Sequence, residues 1–322
     1  MARIWLDATG IRQANMLSVL AKSLSERAEI LATTSADPRP ARVFRFLHMS
    51  TNRVVGKGRD PLQRYARRIL RLSREIEHYK PDLLISDLDS AAVRTAFGLG
   101  IPTWTIYTSE PGPNGLDAKR MSYPLCEKIF ASSLIPKEKL VQEGIPRDRL
   151  VHFNGLNECY IRSIERKSGS RPRVLVRPNG HDSARWVRNV AAKILREVED
   201  SQLTVLGKLP ARGVARATRS GKVRFLEFIP HPPVLNQDLF IGYGRMLAES
   251  FVVGIPTIRT TNDNYPDLSM VYSQQPLITD PDEISEASVS MLRERRAPRP
   301  VSGLESPIAA VTKALLKRGL IS

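Results

Sequence analysis

The chain has 322 residues, 42% of them apolar and 25% charged, which fits two domains of ordinary size with ample material for their cores. Two cysteines without CxxC spacing and five scattered histidines exclude a disulfide framework and a structural zinc site, and no metal is expected. A formal net charge of +16 points to an anionic partner, for which nucleic acid, an acidic membrane surface and a phosphorylated small molecule all qualify.

The first half alternates strand-like and helix-like segments, the mark of βαβ units and a parallel sheet. Residues 3–7 read as a strand, and no apolar signal-peptide core precedes them, so a cytoplasmic location is expected. Residues 15–27 form a helix with Leu17, Leu20, Ala21 and Leu24 on one face, and 28–32 a second strand. The stretch 33–59 reads as irregular, with an apolar patch at 43–46 and a Gly-Lys-Gly at 56–58. A long helix follows to Tyr79, capped by Asp60 with Pro61 in its first turn. Residues 83–86 are a buried strand, 90–98 a short helix and 101–107 the next strand, with 123–127, 129–132 and 151–153 completing this half.

Composition changes at 163–173, which is polar and basic and reads as an interdomain linker. A second alternating series predicts strands at 173–177, 203–206, 223–228, 238–242 and 257–260. Helices are expected at 183–199, 245–253, 281–295 and 306–318. The expected architecture is therefore α/β, with Rossmann-type domains over 1–165 and 166–322 facing a central cleft. The last helix is expected to pack back on the first domain.

The most informative run is 238–261. A short strand ends in Gly242-Tyr243-Gly244, a turn where backbone can approach a ligand closely, and a helix starts at once. Its N-terminal amides and dipole favour a phosphate at that point, and Glu249 inside it could accept hydrogen bonds from a ribose diol.

This strand, Gly-rich turn, helix with internal Glu and Gly-x-Pro resembles the C-terminal domain of GT-B glycosyltransferases, including MurG-like folds, and of UDP-N-acetylglucosamine 2-epimerases. A closer likeness is to domain-of-unknown-function family 354, and it implies a GT-B-type glycosyltransferase. It runs in order through residues 4–7, 80–86, 96–102, 108–110, 123–125, Asn154-Gly155 and 174–178. The resemblance implies that Gly242, Gly244, Arg245 and Met246 hold the diphosphate of a UDP-type nucleotide sugar, and that Glu249 binds its ribose. Arg177, after the first strand of the second domain, is placed to meet phosphate as a permanently charged, bidentate group; a structural salt bridge is its other reading. The implied activity is sugar transfer without a bound cofactor. The turn is one residue shorter than the family's Gly-Gly-Thr-Met-like turn, with Arg245 adding charge. Gln13 and Asn15 stand on the acceptor side where the family tends to carry histidines, and neither is a general base at neutral pH.

Candidate bases therefore come from carboxylates at predicted strand ends, with Glu110 first and Asp87 or Asp89 second; Asp7 is also so placed. His181 and His231 lie in loops of the second domain. Arg64, Arg67, Arg68 and Arg71 lie largely on one face of the long helix, with Leu62, Ile69, Leu72 and Ile76 nearer another, which would suit peripheral binding to an anionic membrane. The rivals to transfer are a UDP-sugar epimerase or hydrolase of the same fold and a non-catalytic basic scaffold that binds nucleic acid.

Overall fold

The computed structural model describes residues 1–46, 49–54, 60–86, 88–108, 120–165, 169–179, 184–207, 222–262, 265–294 and 299–322. Contacts divide the chain into two units, 1–160 with 304–322 and 161–303.

The first unit is built on seven parallel strands: β1 (Ala2–Ala8), β2 (Ala28–Thr34), β3 (Asn52–Arg53), β4 (Leu83–Ser86), β5 (Thr103–Ile106), β6 (Lys128–Ser132) and β7 (Leu150–Phe153). Their spatial order is β3-β2-β1-β4-β5-β6-β7, so the order reverses between β1 and β4. Central parallel strands are covered on both faces, which is why Ile4, Trp5, Leu6 and Leu83–Ser86 are all buried. The helices are α1 (Ile11–Leu24), α2 (Pro38–Phe46), α3 (Pro61–Tyr79), α4 (Ser90–Gly98) and α5 (Lys137–Gln142). Leu72 and Ile76 of α3 pack with Ala91, Ala92 and Ala96 of α4 on Trp5 and Leu84.

In the second unit five parallel strands run β10-β9-β8-β11-β12, with β8 (Arg173–Val176), β9 (Gln202–Leu206), β10 (Val223–Leu226), β11 (Leu239–Gly242) and β12 (Thr257–Arg259). Here the order reverses between β8 and β11. The helices are α6 (Ala184–Glu197), α7 (Met246–Val253), α8 (Ser269–Tyr272) and α9 (Pro281–Arg293). Val187, Val190 and Ile194 of α6 and Ile284 and Leu292 of α9 cover one sheet face. Every residue of α7 is buried, as its almost wholly apolar sequence requires. The final helix, α10 (Pro307–Arg318), belongs to the first unit and lies on β6.

Three expectations are corrected. The segment read as irregular contains α2, whose Val43 and Phe44 are fully buried; Pro38 and Pro40 fall in its first turn, where proline is tolerated. Tyr123–Leu125 is a single 3₁₀ turn and not a strand. Leu62 of α3 is exposed, away from the apolar stripe.

Candidate functional site

In open parallel sheets ligands bind beyond the strand C-termini where the strand order reverses. In the second unit that place is occupied by Arg177, directly after β8, and by Gly242, the last residue of β11, with Tyr243 and Gly244 following it. The Arg177 amide donates to the Ile241 carbonyl at 2.8 Å and so extends the ladder by one residue. A Cβ on Gly242 would stand 2.9 Å from both the Cβ and the carbonyl oxygen of Arg177, so only glycine lets the two chains run this close. Gly244 has φ 76°, the left-handed region that a branched side chain resists, and a Cβ there would lie 3.4 Å from an Arg177 guanidinium nitrogen. The Arg177 guanidinium lies over the Tyr243 ring, 4.7 Å from its centroid. One turn supplies a helix N-terminus, a stacked cation and close backbone, which together suit an anion.

Arg245 occupies the N-cap position of α7 with no side-chain cap. Its guanidinium turns onto the fully buried Asp267, with both carboxylate oxygens within 2.9 Å, and lies over Tyr265. The added positive charge expected of Arg245 is thus already balanced, and what it offers at the turn is backbone. Met246 is buried and opens the helix; Glu249, one turn on, is only 6% exposed and no solvated surface charge.

At the corresponding edge of the first unit sits a buried polar network. Asp7, near the end of β1, accepts two hydrogen bonds from one Arg68 nitrogen at 2.9 and 3.1 Å and one from the Thr33 hydroxyl at 2.5 Å. Thr33 in turn accepts from the Trp5 indole. The other terminal nitrogen of Arg68 donates to the carbonyls of Thr34 and Val54. Asp89 lies 3.5 Å from Arg68 Nε and caps α4 by accepting from the Ala92 amide. Burial pushes the Asp7 carboxyl up to about 6; Arg68 pulls the other way and Asp89 adds to the rise.

The sequence matches the family described as "Protein of unknown function (DUF354)" over residues 2–170. The chain belongs to this family. A relative in Methanocaldococcus jannaschii, an uncharacterized protein, is 23% identical over 79% of this chain and 80% of its own length. Among solved structures, UDP-GlcNAc 2-epimerase of Neisseria meningitidis bound to UDP-GlcNAc superposes with a TM-score of 0.72 at 15% identity, covering 98% of this chain and all of that one. MurG of Acinetobacter baumannii gives 0.56 at 13% identity, over 98% of this chain and all of that chain. The fold of this DUF354 protein is GT-B-like.

Other sequence-derived candidates are distributed unevenly. Asp87, Glu110 and His181 lie outside the described residues. Asp89 serves as a cap and as the second carboxylate of Arg68. Gln13 folds back over Gly10 at the start of α1, and Asn15 is buried one turn further on. His231 is held below its ordinary range by burial. Both cysteines are buried free thiols, and burial pushes Cys126 up to about 12. Arg68 is corrected: it is no part of an exposed basic face. Arg64, Arg67 and Arg71 remain exposed on α3. Among the described residues no helix is long and apolar enough to cross a membrane. The burial of Arg68 was visible in its spacing, since 68, 72 and 76 form one stripe and a charged residue on an apolar stripe is a pairing partner. Asp267 and the tyrosine plates carried no comparable signal.

Proposed function

We propose that this DUF354 protein binds a UDP-type nucleotide sugar at the C-terminal edge of its second sheet and transfers the sugar to an acceptor. The observation that carries this reading is the juxtaposition of Gly242, Gly244 and the stacked Arg177 at the start of α7. The helix dipole, the amides of Gly244, Arg245 and Met246, and the Arg177 guanidinium would stabilise the charge that develops on the departing diphosphate. Glu249 would accept the ribose hydroxyls. Gln13 and Asn15 are proposed contacts on the acceptor side, and Glu110 or Asp87 the base. Asp89, occupied as a cap, is the weakest of the three.

Epimerisation of a UDP-sugar is the second reading, supported by the higher TM-score to a 2-epimerase than to MurG. Incubation with UDP-N-acetylglucosamine separates them. A transferase using water as a poor acceptor slowly liberates UDP and the sugar with no epimer. An epimerase equilibrates the donor with its 2-epimer. Neither turnover nor donor binding would contradict both.

A second partner is proposed on α3. Arg64, Arg67, Arg71 and Arg74 are exposed beside the exposed Leu62 and Leu70, an arrangement suited to lying on an anionic bilayer. The protein would then work at a membrane surface from the cytoplasmic side.

A further inference from the structure

Side chains alternate along a strand, and Val174, Val176, Leu239, Ile241 and Ile258 all point into the core under α6 and α9. Arg177, Gly242 and Arg259 therefore fall on the opposite face, where Thr257 Oγ1 donates to Ser250 Oγ of α7 at 2.8 Å. The three are also level. The Arg177 amide donates to the Ile241 carbonyl, and Gly242 is the register partner of Arg259. The ends of β8, β11 and β12 thus form a row of Arg177, Gly242 and Arg259 just before α7, and its middle residue has no side chain to separate the two arginines. Their Cα atoms are roughly 10 Å apart, two strand spacings, within reach of one another's guanidinium.

The two arginines have matching surroundings. Arg177 lies 4.7 Å from the centroid of the Tyr243 ring and Arg259 4.9 Å from that of Tyr272. Tyr272 is tied to the start of α7: its hydroxyl accepts from the Tyr265 amide at 3.4 Å, and the Tyr265 ring lies under Arg245, the N-cap of that helix. Among the described residues neither Arg177 nor Arg259 has a carboxylate partner, and Asp267 is committed to Arg245. Arg259 Nε is buried with no hydrogen-bond partner among the described residues. The same holds for the hydroxyls of Thr260, which is 7% exposed, and Thr261. Buried polar atoms are nearly always paired, so three orphans in succession at a ligand edge call for groups from outside the chain. A guanidinium only donates, and the acceptors that suit it best are anionic oxygens.

We propose that Arg259 completes a diphosphate clamp: Arg177 and Arg259 each hold one phosphate from either side of Gly242, so the site selects a nucleoside diphosphate over the monophosphate. This rests on the nucleotide reading above and adds to it a residue and a specificity. Each phosphate of a nucleotide sugar brings one negative charge, which matches one guanidinium; a monophosphate leaves the second cation unmatched. Stacking on tyrosine fixes the plane of each fork while its donors stay at the edge, so little freedom is lost on binding.

Calorimetric titration of UDP, UMP and inorganic pyrophosphate into the wild type and a folded Arg259→Gln variant tests it. The wild type should bind UDP about tenfold more tightly than UMP, the worth of a charge-assisted contact to the second phosphate. Arg259→Gln should lose about tenfold for UDP and less than about twofold for UMP. Should that variant not fold, Arg259→Lys, which keeps the charge but not the fork, is measured in the same way, with the same split expected. Equal wild-type affinities for UDP and UMP, equal losses for both in the variant, or no loss at all would overturn the clamp and leave the nucleotide reading standing. Pyrophosphate bound as tightly as UDP, and weakened alike in the variant, would keep the clamp and overturn the nucleotide reading. A wild type that binds none of the three overturns both.

Discussion

Glu249 is proposed as a site residue because the resemblance implies a ribose-binding carboxylate at that place; the structure shows that it is buried. At 6% exposure on an almost wholly apolar helix, it is not a solvated surface charge. Glu249→Ala should weaken UDP binding by about 1–3 kcal/mol, the size of lost hydrogen bonds to a charged acceptor, measured by calorimetric titration. Equal affinities would remove Glu249 from the site. Arg68 makes a separate prediction. Replacing it by Met leaves the fully buried Asp7 without its cation, so stability should fall by about 3–5 kcal/mol at neutral pH in denaturant unfolding. The loss should shrink in acid. The folded-state value of Asp7 is raised, so its stabilising contribution is complete below the ordinary carboxylate range and disappears as pH rises through about 6. A pH-independent loss would show that the carboxylates are not the groups left uncompensated. Arg68 shares a stripe with Leu72 and Ile76, yet it was grouped with the other arginines because guanidinium-rich helices are usually solvated. The three-dimensional placement of Asp7, Thr33 and Asp89 shows what it pairs with.

At the scale of single elements, legibility followed the strength of the local signal. The cap of α3 was readable because Asp60-Pro61 is a sterically defined start: Asp60 Oδ1 accepts from the Gln63 amide at 2.8 Å. Asp60→Ala should lower stability by about 1 kcal/mol in thermal or denaturant unfolding. No change would mean that packing alone sets the start of α3. The helix α7 was equally plain, since the Gly242-Tyr243-Gly244 turn precedes it and Gly254 caps its end. By contrast, α2 was hidden by two prolines and three arginines within nine residues, and it exists because Ala41, Val43 and Phe44 find buried partners. Tertiary burial decided there against local preference. The 3₁₀ turn at Tyr123 is similar, an apolar run too short for periodicity to tell a strand from a turn.

At the scale of the whole molecule, two parallel sheets were readable from alternation alone, and both adopt the strand reversal that creates a ligand edge. The charge of +16 stayed ambiguous because it is spread along the chain. The structure narrows it: one arginine is internal, one is matched by Asp267, and the cations of α3 line a surface beside exposed leucines. Converting Arg64, Arg67 and Arg71 to Glu should abolish co-sedimentation with anionic vesicles, and raised salt should release the wild type. Wild-type protein that stays in solution at low salt would end the membrane proposal without touching the nucleotide site.

The nucleotide-sugar reading rests on the turn after β11 seating two phosphates. Its most direct test is calorimetric titration of UDP, with uridine as the control, into wild type and a Gly244→Val variant shown by circular dichroism to be folded. The account predicts saturable one-to-one binding of UDP and none of uridine to the wild type, and no UDP binding to Gly244→Val, where a β-branched residue cannot hold φ 76°. Absence of binding to the wild type, or the same isotherm for both proteins, would contradict it.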